Sequence, residues 1–358
     1  MKIIGCDFHP SYQQIAMLDT ETGELWEGQL EHEQGQARRF YEALRGQTVR
    51  VGIEAVGNSQ WFEQMLAELG HELWIGDAAQ IRRLVVRKQK TDPRDAKHIL
   101  DLLLDGRFPR LWVPSRQMRD VRQLLRHRQK LVEIRTQVKN QLQHLALNQG
   151  VRRKSRLWSV QGRAVLEQLP LEGWTARRRS DLLVMLDRLE EQVGELDRAV
   201  RTEAEQRPEV RLLMTHPGVG PVVGLAYALT IGPSSRFRRG KHVASYLGLI
   251  PGEHSTGGRQ KFGPISKQGN TMMRTLLVEA AQTAARFDEE LRRDYSRLKA
   301  KKHSAPAKVM VARKLAVRMY WMLRENKSYA QMYAQRSVAR MQGSSGHSVV
   351  AGGDRSFE

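Results

Sequence analysis

The feature that most constrains this chain is a carboxylate at the end of an apolar run, where Lys2-Ile3-Ile4-Gly5-Cys6 closes on Asp7. Such a run reads as a buried strand, and an ionised side chain at its end is costly to bury unless something compensates it. The arrangement returns in Val49-Arg50-Val51-Gly52-Ile53, which closes on Glu54. A fold using both runs must bring two strand ends to a place where negative charge is offset. Gln13 to Leu18 and Glu24 to Leu30 read as further strands, with Glu21-Thr22-Gly23 as the turn between them. Gln34 to Leu44 and Asn58 to Leu69 have helical spacing, and Glu72 to Ile75 reads as another strand. A meander followed by alternating helix and strand predicts an α/β unit over 1–112, a mixed sheet flanked by helices.

Two more carboxylates, Asp92 and Asp95, open a helical stretch from Asp92 to Leu103. Residues three apart share a helix face, so both can address one point. They equally suit a helix N-terminus capped by Thr91. A few carboxylates are what Mg²⁺ needs beside substrate phosphates, and two ions about 4 Å apart can clamp both oxygens of a phosphoryl transfer.

The charge balance names a partner for that chemistry. Among 358 residues, 59 Lys and Arg stand against 39 Asp and Glu, a formal charge of +20 that a polyanion would offset. The length suits two or three globular units. No apolar run reaches the roughly 18 residues of a membrane span and no signal segment is visible, so a soluble cytoplasmic protein is expected. The single cysteine, Cys6, excludes an internal disulfide and a multi-thiolate zinc site.

From Ser115 the pattern turns helical, with Val121, Leu124, Leu125, Leu131, Ile134, Val138, Leu142 and Leu145 on one face. Ser180 to Glu203 repeats it. The pair, over 113–207, reads as an antiparallel coiled-coil arm or as two bundle helices, separated by the basic, Gly- and Pro-bearing stretch Gly150 to Trp174. A mostly helical unit follows over 208–332, with an Ala-rich helix at Val278 to Ala285 and a basic one from Ala307 to Leu323. Residues 333–358 are polar and Gly/Ser-rich, and a disordered tail is expected there.

Within 208–332 two motifs stand out. His216-Pro217-Gly218-Val219-Gly220-Pro221 is a turn whose glycines, Gly218 and Gly220, can offer backbone N–H groups to a DNA phosphate or simply join two helices. The second runs from Tyr246-Leu247-Gly248-Leu249-Ile250-Pro251 through Ser255-Thr256-Gly257-Gly258 to Gly263-Pro264-Ile265-Ser266-Lys267-Gln268-Gly269-Asn270, with Arg274 beyond. Its small residues, Gly257 and Gly258 among them, permit close approach to a phosphodiester. Lys267 and Arg274 can neutralise its charge, and Asn270 can donate to it. Arg82, Arg83, Arg87, Lys88 and Lys90, and then Arg116, Arg119, Arg122, Arg126 and Arg128, form basic faces suited to phosphate contacts.

The strand ends Gly5-Cys6-Asp7 and Ile53-Glu54-Ala55, with Lys90-Thr91-Asp92-x-x-Asp95-Ala96, resemble the RuvC-like, ribonuclease-H-type domain of the DEDD insertion-sequence transposases. This is the IS one-ten family, which also includes the Piv DNA invertases. The resemblance spans about Met1 to Tyr329. It implies that Asp7, Glu54, Asp92 and Asp95 hold Mg²⁺, or Mn²⁺, for strand cleavage and exchange. The Tyr246 to Asn270 run resembles the family's C-terminal domain, where a serine after a Gly-Leu-x-Pro segment attacks DNA. That implies Ser255 as nucleophile, with Thr256 taking the position in a gap-free match. The implied partners are donor and target duplex DNA, a structured guide RNA, and further copies of the chain in a homodimer or larger assembly on the bacterial nucleoid. Two rivals remain: a metal-dependent junction nuclease that uses water, and an architectural nucleic-acid-binding protein.

Overall fold

The computed structural model describes residues 1–84, 92–152, 156–253, 262–301 and 303–332, in two compact units, Met1–Val113 and Pro114–Glu358. The first carries β1 (Lys2–Phe8), β2 (Tyr12–Asp19), β3 (Leu25–Glu31), α1 (Gln36–Ala43), β4 (Val49–Glu54), α2 (Gln60–Glu68), β5 (Glu72–Gly76), α3 (Ala78–Arg83) and α4 (Asp92–Leu104). Its sheet has the order β3-β2-β1-β4-β5, with β1, β2 and β3 antiparallel and β1, β4 and β5 parallel. This is the mixed sheet expected from the change of period, with strand and helix ends shifted by one or two residues.

Alternation along each strand sorts the side chains into two cores. Ile4, Cys6 and Phe8 of β1 and Val51 and Ile53 of β4 face α1 and α2, in a core with Tyr41, Phe62 and Leu66. Ile3 and Ala16 face the other way, against Ile99, Leu100 and Leu103 of α4. Cys6 is buried on the first face, its thiol donating to Gln13 Oε1 at 3.2 Å, and burial pushes that thiol well above its usual range. On the second face Gly5 and Gly52 are register partners on adjacent strands. A Cβ on Gly5 would press on the Ala96 carbonyl and lie 2.9 Å from Leu100 Cα, and one on Gly52 would lie 2.7 Å from Leu103 Cδ1. Their bare backbone is the floor on which α4 rests.

The second unit begins with α5 (Arg116–Asn148), whose N-terminus is capped by Ser115 Oγ accepting from Met118 N–H at 3.2 Å. It is followed by α6 (Val160–Glu167) and α7 (Gly173–Glu205). The long helices run antiparallel: Arg128 pairs with Asp197 at 2.6 Å and Lys139 with Glu190 at 2.8 Å, and Arg178 donates to Gln141 at 2.9 Å. α7 starts seven residues before the apolar pattern at Ser180. Its first turns are polar and held by contacts such as Arg177–Asp181 at 2.9 Å, four residues apart, which a hydrophobic period does not register. The stretch between the arm helices folds as well: Leu157, Leu166 and Leu169 join Leu142, Leu145, Leu182 and Leu186 in one core.

At the other end of the arm, Val121 and Leu125 of α5 and Val200 and Ala204 of α7 belong to the core of the remaining helices. These are α8 (Pro208–Met214), α9 (Pro221–Ile231) and α10 (Gly240–Tyr246), then a β6 (Pro251–Glu253) and β7 (Phe262–Ile265) pair, then α11 (Thr271–Phe287), α12 (Glu289–Lys301) and α13 (Ser304–Glu325). α9 is buried from Gly224 through Ile231, as an all-apolar helix must be. Within this region, expected to be mostly helical, β6 and β7 form a short antiparallel pair. Residues 333–358, where a tail was expected, lie outside the described residues.

The glycine floor yields a direct test. Gly5→Ala should destabilise the first unit by about 1–3 kcal/mol, because the added methyl meets helix backbone rather than a side chain that can turn away. Gly57→Ala, where nothing lies within 4 Å of the added atom, should be close to neutral. Denaturant midpoints of the two variants measure the contrast, and equal midpoints would refute the seating of α4 on Gly5.

Candidate functional site

The site in the first unit follows from strand register. Ile3 and Gly5 face α4, so by alternation Asp7 does too, and the Gly52 position puts Glu54 on the same face. β1 and β4 run parallel with Cys6 opposite Ile53, so Asp7 and Glu54 emerge side by side at one end of the sheet. α4 starts over that end. His9 Nε2 lies 3.1 Å from Asp7 Oδ2 and 3.8 Å from Asp92 Oδ2. The Tyr12 hydroxyl donates to Asp92 Oδ2 at 2.8 Å, and its ring stacks on His9 with centroids 4.7 Å apart. One donor atom each from Asp7, His9 and Asp92 fits within a 4.8 Å span, close enough to share a cation.

Asp95 stands one helical turn beyond Asp92, and Glu54 is held by Arg82 of α3 at 2.9 Å. Burial raises the Asp7 carboxyl above its usual range, His9 partly offsets this, and the charges of Asp95 and Asp92 push it further up. Crowded carboxylates with a raised member are what a bound cation would relieve. His9 and Tyr12 were not singled out from the sequence. The available signal was His9 two residues after Asp7 at the strand end. Thr91 and the basic Arg87, Lys88 and Lys90 lie outside the described residues.

In the second unit Ser255, Thr256, Gly257 and Gly258 lie outside the described residues, between β6 and β7. Their flanks are built by local bonds. Lys267 adopts a left-handed conformation (φ 54°), and its N–H donates to the Gly248 carbonyl at 3.3 Å. Asn270 Oδ1 accepts from Met273 N–H at 3.1 Å and so caps α11. Arg274 donates to the Gln268 carbonyl at 2.6 Å and Thr271 Oγ1 at 2.9 Å. Gly218 has φ 84°, and a Cβ there would stand 2.6 Å from Ala284 N, so this glycine lets the turn press on α11. Gly220 is the N-cap of α9 with open space beside it. His216 is buried, its Nδ1–H donates to the Pro217 carbonyl at 2.8 Å, and burial brings the imidazole down to about 4, hence neutral.

The basic face of α5 divides by role. Arg128 pairs with Asp197, and Arg122 donates to the Leu229 carbonyl. Arg126 is exposed. A cavity of about 150 Å³ is lined by Arg122, Arg126, Thr230, Tyr246, Gly269 and Asn270 with apolar neighbours and no carboxylate. Burial lowers the Arg122 guanidinium below its usual range, Tyr246 opposes this, and Arg126, Arg236 and Arg119 lower it further. This is a concentration of positive charge at the N-terminus of α11.

The raised Asp7 carboxyl carries a stability consequence. Between the ordinary carboxylate range and its raised value the folded chain binds a proton that the unfolded chain has lost, so stability falls as pH rises through that window. In metal-free buffer Asp7→Asn should therefore melt higher than the native chain at neutral pH and lose that part of the pH dependence. A lower melting temperature at neutral pH would mean that the His9 contact outweighs burial and crowding.

Comparison with known proteins bears on what these sites serve. A family described as DEDD transposase, IS110, matches residues 4–149, and one described as transposase IS116/IS110/IS902 family matches residues 210–296. The "Probable family 20 transposase" of Pseudomonas aeruginosa is 29% identical over 288 residues, 79% of this chain and 84% of that protein. The transposase for insertion sequence element IS1111A of Coxiella burnetii is 25% identical over 299 residues, 80% of this chain and 78% of that protein. The transposase for IS1328 of Yersinia enterocolitica is 24% identical over 233 residues, 65% of this chain and 70% of that one. No helix among the described residues is long and apolar enough to cross a membrane. With both family matches in order along one chain, and the first spanning the carboxylate cluster, the protein belongs to the IS110 family of insertion-sequence transposases, enzymes that cleave and recombine DNA.

Proposed function

We propose that the chain moves an insertion sequence by cutting and rejoining DNA with two sets of residues: a RuvC-like carboxylate site and a serine in the C-terminal part. The observation that carries the first is the convergence of Asp7 and Asp92, from a strand end and a helix start, in a chain of formal charge +20. The parallel β1–β4–β5 edge beside an antiparallel meander suits a ribonuclease-H-type sheet. Asp7, Asp92, Asp95 and Glu54 would hold Mg²⁺ or Mn²⁺, with Glu54 exchanging its contact to Arg82 for the cation. A cation bound there neutralises charge on a phosphodiester and its leaving oxygen. By holding that cation, Asp7 and Asp92 would set where the phosphate sits, and Tyr12 holds the Asp92 carboxylate in orientation.

Ser255 is the proposed nucleophile, with Thr256 as the alternative register. Its Oγ forms a bond to phosphorus, the phosphorus–oxygen bond to the leaving DNA strand breaks, and the serine proton passes to that leaving oxygen. Attack by a DNA hydroxyl on the phosphoserine reverses these changes and rejoins the strands without an outside energy source. The arginine-lined cavity of Arg122 and Arg126 would hold a backbone phosphate near the start of α11, with Lys267, Asn270 and Arg274 shaping the turn beside it. Gly218 and Gly220 shape the turn before α9, and Gly257 and Gly258 would let DNA approach the serine. A structured guide RNA, duplex donor and target DNA, and a second copy joined through the 113–207 arm complete the proposed assembly.

Trapping with a DNA substrate tests the serine. A covalent adduct that survives denaturation should map to Ser255 or Thr256 and vanish in the Ser255→Ala, Thr256→Ala double variant. Divalent-dependent cleavage with no adduct would favour a nuclease that uses water. Asp7→Ala should abolish cleavage, and unchanged activity would mean the acidic residues are structural. Arg126→Glu should weaken duplex binding across sequences and reduce the salt slope by about one counterion, the mark of a phosphate contact.

A further inference from the structure

The cluster at the end of β1 contains a donor that an all-carboxylate centre does not require. We infer that His9 is itself a ligand of the cation held by Asp7 and Asp92, and that its nitrogen makes the centre prefer transition divalents such as Mn²⁺ over Mg²⁺. The inference rests on the metal-site reading above.

Donors on neighbouring vertices of an octahedral cation with bonds of about 2.1 Å stand about 3 Å apart. His9 Nε2 is 3.1 Å from Asp7 Oδ2 and 3.8 Å from Asp92 Oδ2, so a small inward movement lets all three share one ion. The imidazole is also held. Its plane lies 21° from that of Tyr12, whose hydroxyl bonds Asp92 Oδ2 at 2.8 Å, so one β2 residue orients two donors. The turn is closed beneath them by His9 N–H donating to the Tyr12 carbonyl at 3.0 Å. Pro10 and Ser11 form its exposed tip.

The choice of ion follows from the donor. Mg²⁺ takes oxygen ligands and gives up its water reluctantly, so an imidazole adds little for it. Transition divalents gain from a nitrogen donor as Mg²⁺ does not, least for Mn²⁺ and increasingly along the Irving–Williams order. If His9 served only to hydrogen-bond Asp7, a cation would displace it, and the preference between ions would not depend on it.

The test uses the full chain stripped of metal. Mn²⁺ binding is followed by electron paramagnetic resonance, with Mg²⁺ as competitor, and melting temperatures report folding. In the native protein, bound Mn²⁺ should show nitrogen hyperfine modulation from an imidazole. His9→Ala should remove it and weaken Mn²⁺ about 10-fold or more while changing Mg²⁺ by under about 3-fold. Tyr12→Phe keeps the stacked ring, loses the bond to Asp92, and should weaken both ions with the nitrogen signal retained. Absence of nitrogen modulation in the native chain, or equal loss of both ions in a folded His9→Ala variant, overturns the role of His9. Undiminished Mn²⁺ binding in Asp7→Asn overturns the metal-site reading itself.

Discussion

The contact on which the first unit depends is α4 lying on two glycines, its backbone against Gly5 and its Leu103 side chain against Gly52. A side chain at Gly5 would meet the helix backbone and push α4 away from the sheet. Asp92 and Asp95 would then ride above the strand ends that carry Asp7 and Glu54. Close seating brings like charges together, which is unfavourable by itself, and the packing of Ile99, Leu100 and Leu103 against Ile3 and Ala16 opposes that repulsion. Burial first, and then the charges of Asp95 and Asp92, raise the Asp7 carboxyl above its usual range.

The strand ends were legible because an acidic residue closing an apolar run is a chemical anomaly that one sequence displays. Register then did what no linear reading can: Cys6 opposite Ile53 sets Asp7 beside Glu54, and this pairing is a property of two strands 47 residues apart. His9 was hidden for a related reason. Its nearness to Asp92 depends on α4 arriving at the β1–β2 turn, which spacing along β1 does not encode. Asn270 was legible only as a polar residue in a small-residue run, and its bond to Met273 N–H gives it a second task as a helix cap. The β6–β7 pair escaped because Gly and Pro mask the alternation of such short strands. Gly218 could be read as a turn residue that offers its amide or simply joins two helices, and its close approach to the backbone of α11 is a long-range contact that spacing does not encode.

The two chemical regions rest on different support. The backbone of the carboxylate region is carried by a sheet and a helix. The segments flanking β6 and β7 are fixed by backbone crossings and caps: Ser266 N–H to the Ile250 carbonyl, Lys267 N–H to that of Gly248, and Asn270 at the start of α11.

The arm has a mechanical consequence. α5 and α7 are each 33 residues, roughly 50 Å of helix at 1.5 Å per residue. Their far end is closed by its own core, while Val121, Leu125, Val200 and Ala204 at the near end pack with α9 and α11. A strut rooted in this way shares its base with the core of the other helices. Load applied at the tip reaches the buried α9 as a torque, magnified by the length of the lever, so whatever grips the tip is coupled to the helices around the arginine-lined cavity.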